Sequence, residues 1–575
     1  MKRALVIILC LVMVFSMMAG CTQKDEPENQ TTKAPAGNSD QTNSANEKAA
    51  GKEMDSRLEE IGFTPGSWPL VEKQIKVVAS GMTHSTLLGS ADDWDKNKFW
   101  VRLEERTNID FEWLSLVQGG KAFTEQMNLA FASGNIPDIF FKCRINPLDE
   151  LKYGREGGFI PLEGYIAEYM PNLNKLFKEY PEIKKSITTP DGHIYTLPEI
   201  NVDPVGRVTT NIMVNRVWME KLGINDPETI DDFYNMLVAF RDEDPNENGK
   251  ADEIPLCVAE TANVAQLVSL FGYQLNIDNM FLDEELDEIV FVPTQDGFKD
   301  FLKFMNKLYK EKLLDNEFVT LNNDQIKAKG SMEDSILGVV RANSPGLQVG
   351  GLSQIATSND LTIEENNRRA DYKFMIPIKA PNNGRQLVLG SQSATPGKFA
   401  ITPECEYPEV IMSFMDFFYT EEGGTYVYAG EEGSEYAFDD KGKFQWLLPD
   451  GSYATADKHN DVRKIGTLQP GGHTPGYRPE FKKHFDGPVR KIKESVVEYA
   501  RVPSPSFYFE EKNVKNVGTI TADVKPYVEQ FIAKAIVGEL DVDTEWDSYV
   551  KTLKQMGLDD LIKIYNDAYD LYKQN

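Results

Sequence analysis

Apolar positions in the first part of the body of the chain alternate between two spacings. Residues 74–80 form a short apolar run before Gly81, which is typical of a buried strand. Apolar residues at helical spacing then predict a helix over 95–107. The remaining predicted elements are a strand over 109–113, a helix over 123–133 and a strand over 139–141. This order predicts a parallel α/β sheet whose ligand crevice lies beyond the carboxyl ends of its strands.

Two later segments carry one apolar face each at helical spacing. A helix is predicted over 298–309, and another over 558–572 near the end of the chain. The chain shows no internal repeat, so a solenoid or propeller is not predicted.

The first residues have the pattern of a bacterial secretion signal. Lys2 and Arg3 precede an apolar run over 4–18, broken only by Ser16, which is too short to span a bilayer. Small residues follow and lead directly into Cys21, as in a lipoprotein cleavage site. We therefore expect residues 1–20 to be a signal peptide and Cys21 to carry a lipid such as palmitate. The alternative is an ordinary signal peptide with a Cys near its cleavage site.

Residues 21–56 are rich in polar and small residues and almost lack large apolar ones. Such a segment buries too little surface to offset its chain entropy, so we expect a flexible tether behind the lipidated Cys21. No later segment has the apolar length of a membrane span. The lipid is therefore the only expected membrane anchor.

Composition and charge narrow the class of protein. Hydrophobic residues make up 41% of 575 residues, enough for a substantial core divided over two or more lobes. The net charge of −29 becomes −31 without Lys2 and Arg3, and it disfavours binding to nucleic acid or anionic lipid. Cys143, Cys257 and Cys405 are widely spaced, so a disulfide framework is not expected.

Residues 244–253 place oxygen-bearing side chains at alternate positions. Asp244, Asn246 and Asn248 precede Gly249, whose conformational freedom allows a sharp turn. Calcium requires six to eight oxygen ligands, and a tight loop supplies them from alternate residues. The segment therefore predicts a calcium loop, with an Asn/Asp/Gly turn that binds no metal as the alternative.

The second half of this loop departs from an EF-hand. The position at which an EF-hand has its bidentate Glu is occupied by Pro255, and carboxylates come earlier, at Asp252 and Glu253. We expect a calcium loop within a different fold.

No catalytic motif is present among the sequence patterns that are recognisable by spacing. The five His residues form no His-Glu-x-x-His pair, and the chain has no Cys-x-x-Cys, Walker loop or Gly-x-Ser-x-Gly elbow. With 90 acidic residues, a pair of glycosidase carboxylates cannot be identified from spacing. We expect a binding protein rather than an enzyme.

Several blocks resemble the extracellular solute-binding lipoproteins of bacterial carbohydrate ABC importers. The blocks are 123–139, Asp191-Gly-His-Ile-Tyr195 to Pro198, Asn215-Arg-Val-Trp218 to Gly223 with the loop 244–253, 407–423, and 531–572. Their order is similar to that of the family 1 type, in particular the LplA/YtcQ-like subgroup and the alginate-oligosaccharide-binding proteins. The resemblance extends from about residue 70 to the end.

The resemblance implies a type II periplasmic-binding-protein-like α/β fold with a ligand cleft between two lobes. The order of blocks places 70–209 and 335–402 in an N-terminal lobe, and 210–334 and 403–575 in a C-terminal lobe. It also implies a structural calcium ion. Its ligands by resemblance are Asp244, Asn246, Asn248, the carbonyl of Lys250, Asp252 and Glu253.

The resemblance implies capture of an oligosaccharide, lobe closure around it, and recognition of the closed form by permease subunits. Loops that follow predicted strands, and one long Gly-rich stretch, supply the candidate ligand residues. These are His84, Ser85, Lys142, Arg144, Asn146, Glu260, Arg341, Asn343, Trp446, Tyr477 and Arg478. Trp113, Trp218 and Trp546 are assigned to packing.

Other functions remain open at this point. A membrane-tethered glycosidase or polysaccharide lyase is one alternative, and a peptide-binding or sensory lipoprotein of the same fold is another. We expect a monomer on the extracellular face of a Gram-positive type membrane.

Overall fold

The computed structural model describes residues 56–83, 94, 97–330, 335–342, 372–440, 442, 444–454, 475–477 and 487–574. The expected signal peptide, Cys21 and residues 21–55 of the expected tether lie outside these residues, as do His84, Ser85, Asn343 and Arg478. Residues Asp55–Asn575 form one compact unit. Helix Ser56–Glu60 begins at the last residue of the expected tether, so the folded body starts one residue earlier than predicted.

A six-stranded sheet forms the first lobe. Its strands, in spatial order, are Gly476–Tyr477, Leu197–Ile200, Ala394–Ile401, Ile139–Phe141, Ile75–Thr83 and Ile109–Gln118. The strand Ile75–Thr83 pairs in parallel with both Ile109–Gln118 and Ile139–Phe141. The predicted parallel core of three strands is therefore confirmed, and Ala394–Ile401 adds an antiparallel strand beside it.

Gly81 does not end the first strand, as the sequence pattern suggested. The strand continues to Thr83, and its burial continues with it. A Cβ at position 81 would clash with the carbonyl oxygen of Phe141 on the neighbouring strand. The glycine therefore permits the close approach of two strands, which its usual reading as a strand terminator does not reveal.

A four-stranded sheet forms the second lobe. Its strands, in spatial order, are Tyr372–Phe374, Asn211–Asn215, Leu337–Ala342 and Ile254–Cys257. Leu337–Ala342 and Tyr372–Phe374 were expected in the N-terminal lobe, within 335–402. They instead hydrogen-bond to Asn211–Asn215, so they belong to the second lobe, and the return to the first lobe occurs between residues 375 and 393.

Helices 408–429 also differ from the expected division. They were placed in the C-terminal lobe, within 403–575, but their apolar residues pack in the core of the first sheet. Tyr426 donates a hydrogen bond from its hydroxyl to the carbonyl of Phe99, in a helix of the first lobe. The helices of the first lobe are Ser56–Glu60, Lys98–Thr107, Gly120–Ser133, Pro147–Arg155, Glu163–Tyr169, Pro171–Glu179, Pro181–Ile187, Pro408–Phe417 and Glu421–Ala429.

The second lobe contains most of the remaining helices. These are Arg216–Lys221, Ile230–Asp242, Thr261–Ala265, Asp296–Lys310, Asn323–Gly330, Gly487–Glu494, Glu511–Val537, Val542–Gln555 and Leu558–Gln574, with 3-10 turns at Gln266–Phe271, Val292–Thr294 and Val497–Tyr499. The predicted helices over 298–309 and 558–572 are confirmed within this set. Among the described residues, no helix has both the length and the apolar character needed to cross a membrane.

The described residues also contain three short two-stranded pairings. They are Met280–Asp283 with Glu288–Phe291, Tyr436–Phe438 with Phe444–Trp446, and Val388–Leu389 with Ala500–Arg501. The last pairing joins two of the chain segments that pass between the lobes.

Asp416 fixes a helix of the first lobe from a distant part of the sequence. Its buried carboxylate accepts hydrogen bonds from the backbone N–H groups of Asn172 at 3.1 Å and Leu173 at 3.0 Å, and from the Asn172 amide at 2.7 Å. These backbone groups lie in the first turn of helix Pro171–Glu179, which has no side-chain cap of its own. A carboxylate there satisfies free donors and interacts favourably with the helix dipole.

We expect Asp416→Ala to lower the free energy of unfolding by about 2–4 kcal/mol, because it leaves buried N–H groups without acceptors. Urea unfolding followed by circular dichroism measures the change. Glu421→Ala is the matched control, since Glu421 is an exposed acid in the first turn of the next helix. Equal unfolding midpoints for the two variants would contradict the assigned role.

Candidate functional site

The carboxyl ends of two parallel strands lie side by side in the second lobe. Ile254–Cys257 and Leu337–Ala342 pair in parallel, so Glu260 and Arg341 come from neighbouring strand ends. Glu260 is exposed, and its φ of 67° with ψ of 139° is a strained conformation for a residue with a side chain. The Glu260 N–H donates to the carbonyl of Phe318 at 2.8 Å, which holds this conformation in place.

Arg341 carries a charge into a poorly solvated position. The residue is half-buried, and desolvation lowers the pKa of its guanidinium to about 10. Its Nη1 donates to Oδ1 of Asn263 at 3.1 Å. In the described part of the chain, no carboxylate forms an ion pair with Arg341. A desolvated cation is stabilised by groups that accept its hydrogen bonds, and within the described residues the Asn263 amide oxygen is such a group.

Asn263 connects the two candidates that the sequence identified. Its Oδ1 accepts from Arg341, and its Nδ2 donates to Oε2 of Glu260 over a longer distance of 3.4 Å. The two partners fix the orientation of the amide, because one requires an acceptor and the other a donor. Asn263 lies in the short helix Thr261–Ala265, which sequence periodicity does not single out. Its position shortly after a buried strand is the signal that could have identified it.

The first-lobe candidates that are described follow strand Ile139–Phe141. Lys142 is buried and has a positive φ of 53°, with interactions that tie it into the protein. Arg144 is exposed and lies over Gly120, the first residue of helix Gly120–Ser133. Lys142 thus has the surroundings of a core residue, whereas Arg144 presents its side chain at the surface.

Asn146 has a structural role that the sequence reading did not include. Its Oδ1 accepts from the N–H groups of Leu148 at 3.0 Å and Asp149 at 2.9 Å, so it caps helix Pro147–Arg155. It also lines an open cavity of about 940 Å³ between the lobes. The cavity is lined from the first lobe by Asn146 and Leu148, from the connecting segments by Gln392 and Ser504, and from the second lobe by Ile277 and Lys525.

Trp446 and Tyr477 are the two aromatic candidates among the described residues, and both are packed against the protein. Trp446 is only 5% exposed and packs edge-to-face on Phe444 at a centroid distance of 5.0 Å, so its ring is part of a small core and not an open stacking platform. Tyr477 is half-buried in the first sheet, where its N–H donates to the carbonyl of Phe418 at 2.8 Å. The structure thus brings Glu260 and Arg341 together and leaves Trp446 and Tyr477 in packing positions.

The three Trp residues assigned to packing have the predicted surroundings. Trp218 and Trp546 are 3% and 7% exposed. Trp113 lies edge-to-face against Trp94 and Trp100 at 4.6 and 4.7 Å between ring centroids. All three therefore contribute to lobe cores.

The loop 244–253 begins shortly after helix Ile230–Asp242 and folds back on itself. The Asp244 carboxylate accepts from the N–H groups of Asn248 at 3.2 Å and Gly249 at 3.0 Å. The Asn248 Oδ1 accepts from the N–H of Lys250 at 2.8 Å. Positive φ angles at Asp244 and Gly249 make this compact turn possible. Side-chain oxygens of alternate residues therefore fold one tight turn, an arrangement that a calcium loop and an Asn/Asp/Gly turn without metal share.

The electrostatics of the loop fit a cation. Burial and the negative charges of Asp244 and Asp252 raise the pKa of the Glu253 carboxyl, and its buried Oε1 has no hydrogen-bond donor in the described residues. The carboxylates alone do not form a cluster of metal ligands in the described chain. A full shell needs the amide oxygens of Asn246 and Asn248 and the Lys250 carbonyl as well. These hard oxygen donors suit calcium.

A buried carboxyl links the first lobe to the connecting segment before helix Glu511–Val537. Glu150 accepts from the hydroxyls of Thr196 at 2.8 Å and Tyr508 at 2.9 Å. Desolvation raises its pKa to about 7, since these two hydrogen bonds to the charged form offset the burial only in part. No local sequence pattern indicates this group, because its burial depends on packing between distant segments.

Glu150→Gln is expected to remove a pH dependence of stability. A carboxyl pKa raised to about 7 from about 4.5 means that the folded state retains a proton longer, so stability falls as the pH rises between these values. Between pH 4.5 and 7.5 the wild type should lose on the order of 2 kcal/mol of unfolding free energy relative to the variant. Urea unfolding across this range measures it, with the exposed Glu156→Gln as control. Parallel stability curves for wild type and Glu150→Gln would refute the assignment.

Known proteins share this architecture along most of the chain. The fructooligosaccharide ABC transporter substrate-binding protein FusA of Streptococcus pneumoniae is 28% identical over 91% of this chain and 94% of its own length. The polygalacturonan/rhamnogalacturonan-binding protein YtcQ of Bacillus subtilis is 22% identical over 82% of this chain and 88% of its own length.

The solved structure of a FusA EF-hand mutant in complex with fructo-nystose covers 87% of this chain and all of its own, with a TM-score of 0.67 and 25% identity. The predicted two-lobed α/β fold is thereby confirmed. The family model for the bacterial extracellular solute-binding protein matches residues 90–425. The chain therefore belongs to the bacterial extracellular solute-binding protein family.

Proposed function

We propose that this protein captures an oligosaccharide outside the cell and delivers it to the permease of an ABC importer. Membership of the solute-binding family supports the binding role, and the names of FusA and YtcQ support a carbohydrate ligand. The observation that carries the proposal is the group Glu260, Asn263 and Arg341 at the strand ends of the second lobe. A sugar hydroxyl both donates and accepts, so a site for sugars needs the two kinds of partner side by side.

Binding and release then follow from the two-lobed fold. The sugar binds to one lobe and the other lobe closes over it by a hinge motion, which excludes water and strengthens each polar contact. The closed form differs in shape from the open form, and this difference lets a permease select the loaded protein. No bond in the ligand is made or broken in this cycle.

The experiment uses the compact unit 55–575. Titration calorimetry would be run with fructooligosaccharides, galacturonic acid oligosaccharides and short peptides, followed by chromatography of each recovered ligand. Saturable binding of an oligosaccharide that is recovered intact supports the proposal. Binding of peptides alone would favour a peptide-binding or sensory lipoprotein, and conversion of the sugar would favour an enzyme.

We further propose that Cys21 carries the lipid that holds the protein at the extracellular face of the cell membrane, and that the folded protein is a monomer. The order of small residues and Cys at 19–21 supports the first proposal. A Cys21→Ala variant should be released into the medium of producing cells, and a variant that stays in the membrane fraction would refute the anchor. Sedimentation should give one mass at all concentrations, and a stable dimer would refute the monomer.

We also propose that calcium is a structural cofactor held by Asp244, Asn246, Asn248, the Lys250 carbonyl, Asp252 and Glu253. The folded-back loop and the raised pKa of Glu253 support this ligand set. The loop precedes strand Ile254–Cys257 and Glu260 follows it, so the two groups lie at opposite ends of this strand. We assign the calcium loop to stability and not to sugar contact.

A further inference from the structure

Two opposite charges lie near each other at the strand ends of the second lobe without forming an ion pair. Glu260 and Arg341 are each hydrogen-bonded to Asn263, one through Nδ2 and the other through Oδ1. In the described residues, Glu260 has no basic partner and Arg341 has no acidic one. A single carboxamide thus separates an acceptor from a donor that would otherwise be free to neutralise each other.

We infer that Asn263 positions Glu260 and Arg341 as a matched acceptor and donor, and that the three side chains recognise an uncharged vicinal diol of a neutral oligosaccharide. The inference rests on the proposed function and specifies its ligand class. Asn263 is a positioning residue, while Glu260 and Arg341 are the groups that contact the sugar.

The donors of Arg341 and the acceptor of Glu260 that are not bonded to Asn263 match the hydroxyl groups of a diol. Arg341 uses one of its five N–H donors on Asn263, and a guanidinium can direct two others in parallel at adjacent hydroxyl oxygens. Glu260 uses Oε2 on Asn263 and keeps Oε1 as an acceptor for a hydroxyl proton. Two neighbouring hydroxyls can accept from Arg341 and donate to Glu260 at the same time, which a group without a proton to donate cannot do.

The same arrangement disfavours an acidic sugar. A ligand carboxylate would satisfy Arg341, but it would approach the carboxylate of Glu260 in the same group, and like charges there repel. The local charge of the group is balanced, so a neutral ligand completes its hydrogen bonds without adding a net charge. The strained backbone of Glu260 supports a functional role, since such strain persists where a site requires a particular side-chain direction.

The decisive variant is Asn263→Asp, which replaces the separating amide by a carboxylate. The new carboxylate would pair with the partly buried Arg341, and its repulsion of Glu260 is weaker because Glu260 is exposed to solvent. The free protein should therefore melt at a higher temperature. A neutral fructooligosaccharide should bind at least tenfold more weakly, because Arg341 is then engaged. Opposite changes in stability and affinity are not expected of a residue with a purely structural role. Ala262→Asp is the control, since it adds the same charge at the preceding, exposed position of the same helix.

Calorimetry with a neutral fructooligosaccharide and with a galacturonic acid oligosaccharide tests the neutral-diol inference separately from the proposed capture of an oligosaccharide. Preference of the wild type for the neutral sugar, lost in Asn263→Asp and kept in Ala262→Asp, supports the inference. Preference for the acidic sugar, or unchanged neutral-sugar affinity in Asn263→Asp, overturns the inference while oligosaccharide capture stands. Binding of no oligosaccharide by the wild type overturns the proposed function itself.

Discussion

Arg341→Met is expected to lower the affinity for the oligosaccharide at least about 100-fold without destabilising the protein. Two charge-assisted hydrogen bonds to a ligand contribute roughly 1.5–3 kcal/mol each, and their loss corresponds to two or more factors of ten. The fold should tolerate the change because the guanidinium is desolvated, as its lowered pKa indicates, and has no ion-pair partner in the described chain. Replacing an unpaired desolvated charge by an apolar side chain of similar length removes a desolvation cost.

Titration calorimetry and thermal unfolding on the same preparations test this result. Arg216→Met is the control, because Arg216 lies in the same lobe on helix Arg216–Lys221 and pairs with Glu220 at 2.7 Å. It should bind the sugar as the wild type does. Wild-type affinity in Arg341→Met would remove Arg341 from the site, and a collapse of its melting temperature would show that its role is structural.

Removal of calcium is expected to lower the melting temperature by an amount that depends on the calcium concentration. An ion that binds only the folded state stabilises it by about 2.7 kcal/mol at 100 times its dissociation constant. Without the ion, the carboxylates of Asp244, Asp252 and Glu253 repel one another, which is the cause, besides burial, of the raised pKa of Glu253. Sugar affinity measured in the folded state should change much less than stability.

Asp244→Asn keeps an acceptor for the backbone of the loop but removes a ligand charge. The variant should lose the calcium-dependent rise in melting temperature that the wild type shows in calcium over EGTA. Asp242→Asn is the control, since Asp242 pairs with the neighbouring Arg241 at 2.7 Å before the loop begins. It should keep the full calcium response. A wild-type melting curve that is insensitive to EGTA would mean that 244–253 is an ordinary turn.

Local patterns predicted many elements because they depend on residues close in sequence. The alternation of strands and helices up to Phe141 and the amphipathic helices Asp296–Lys310 and Leu558–Gln574 agree with the structure. The ends of elements differ from the predicted ends where a tertiary contact overrides a local sequence pattern. Gly81 is the clearest case, since the strand continues through it to make room for the backbone of Phe141.

The division into lobes could not be read from the same patterns. The period of a strand tells which face is buried but not which sheet the strand joins, so the sequence does not show that Leu337–Ala342 pairs with Asn211–Asn215 in the second lobe. The lobe to which the helices at 408–429 belong is not visible in the sequence for the same reason. Their apolar faces fit either core, and the position of Asp416 over helix Pro171–Glu179 assigns them to the first lobe.

The candidate site also depends partly on local sequence and partly on tertiary contacts. The sequence by itself determined the secretion pattern, the spacing of oxygens in 244–253 and the choice of Glu260 and Arg341, because each depends on neighbouring residues or on the end of one strand. Only the tertiary structure decided that Trp446 is buried and that Asn263 lies between Glu260 and Arg341. Arg341 is 78 positions away from Asn263 along the chain. Contacts over that separation are set by how strands pair, which no local pattern of residues records.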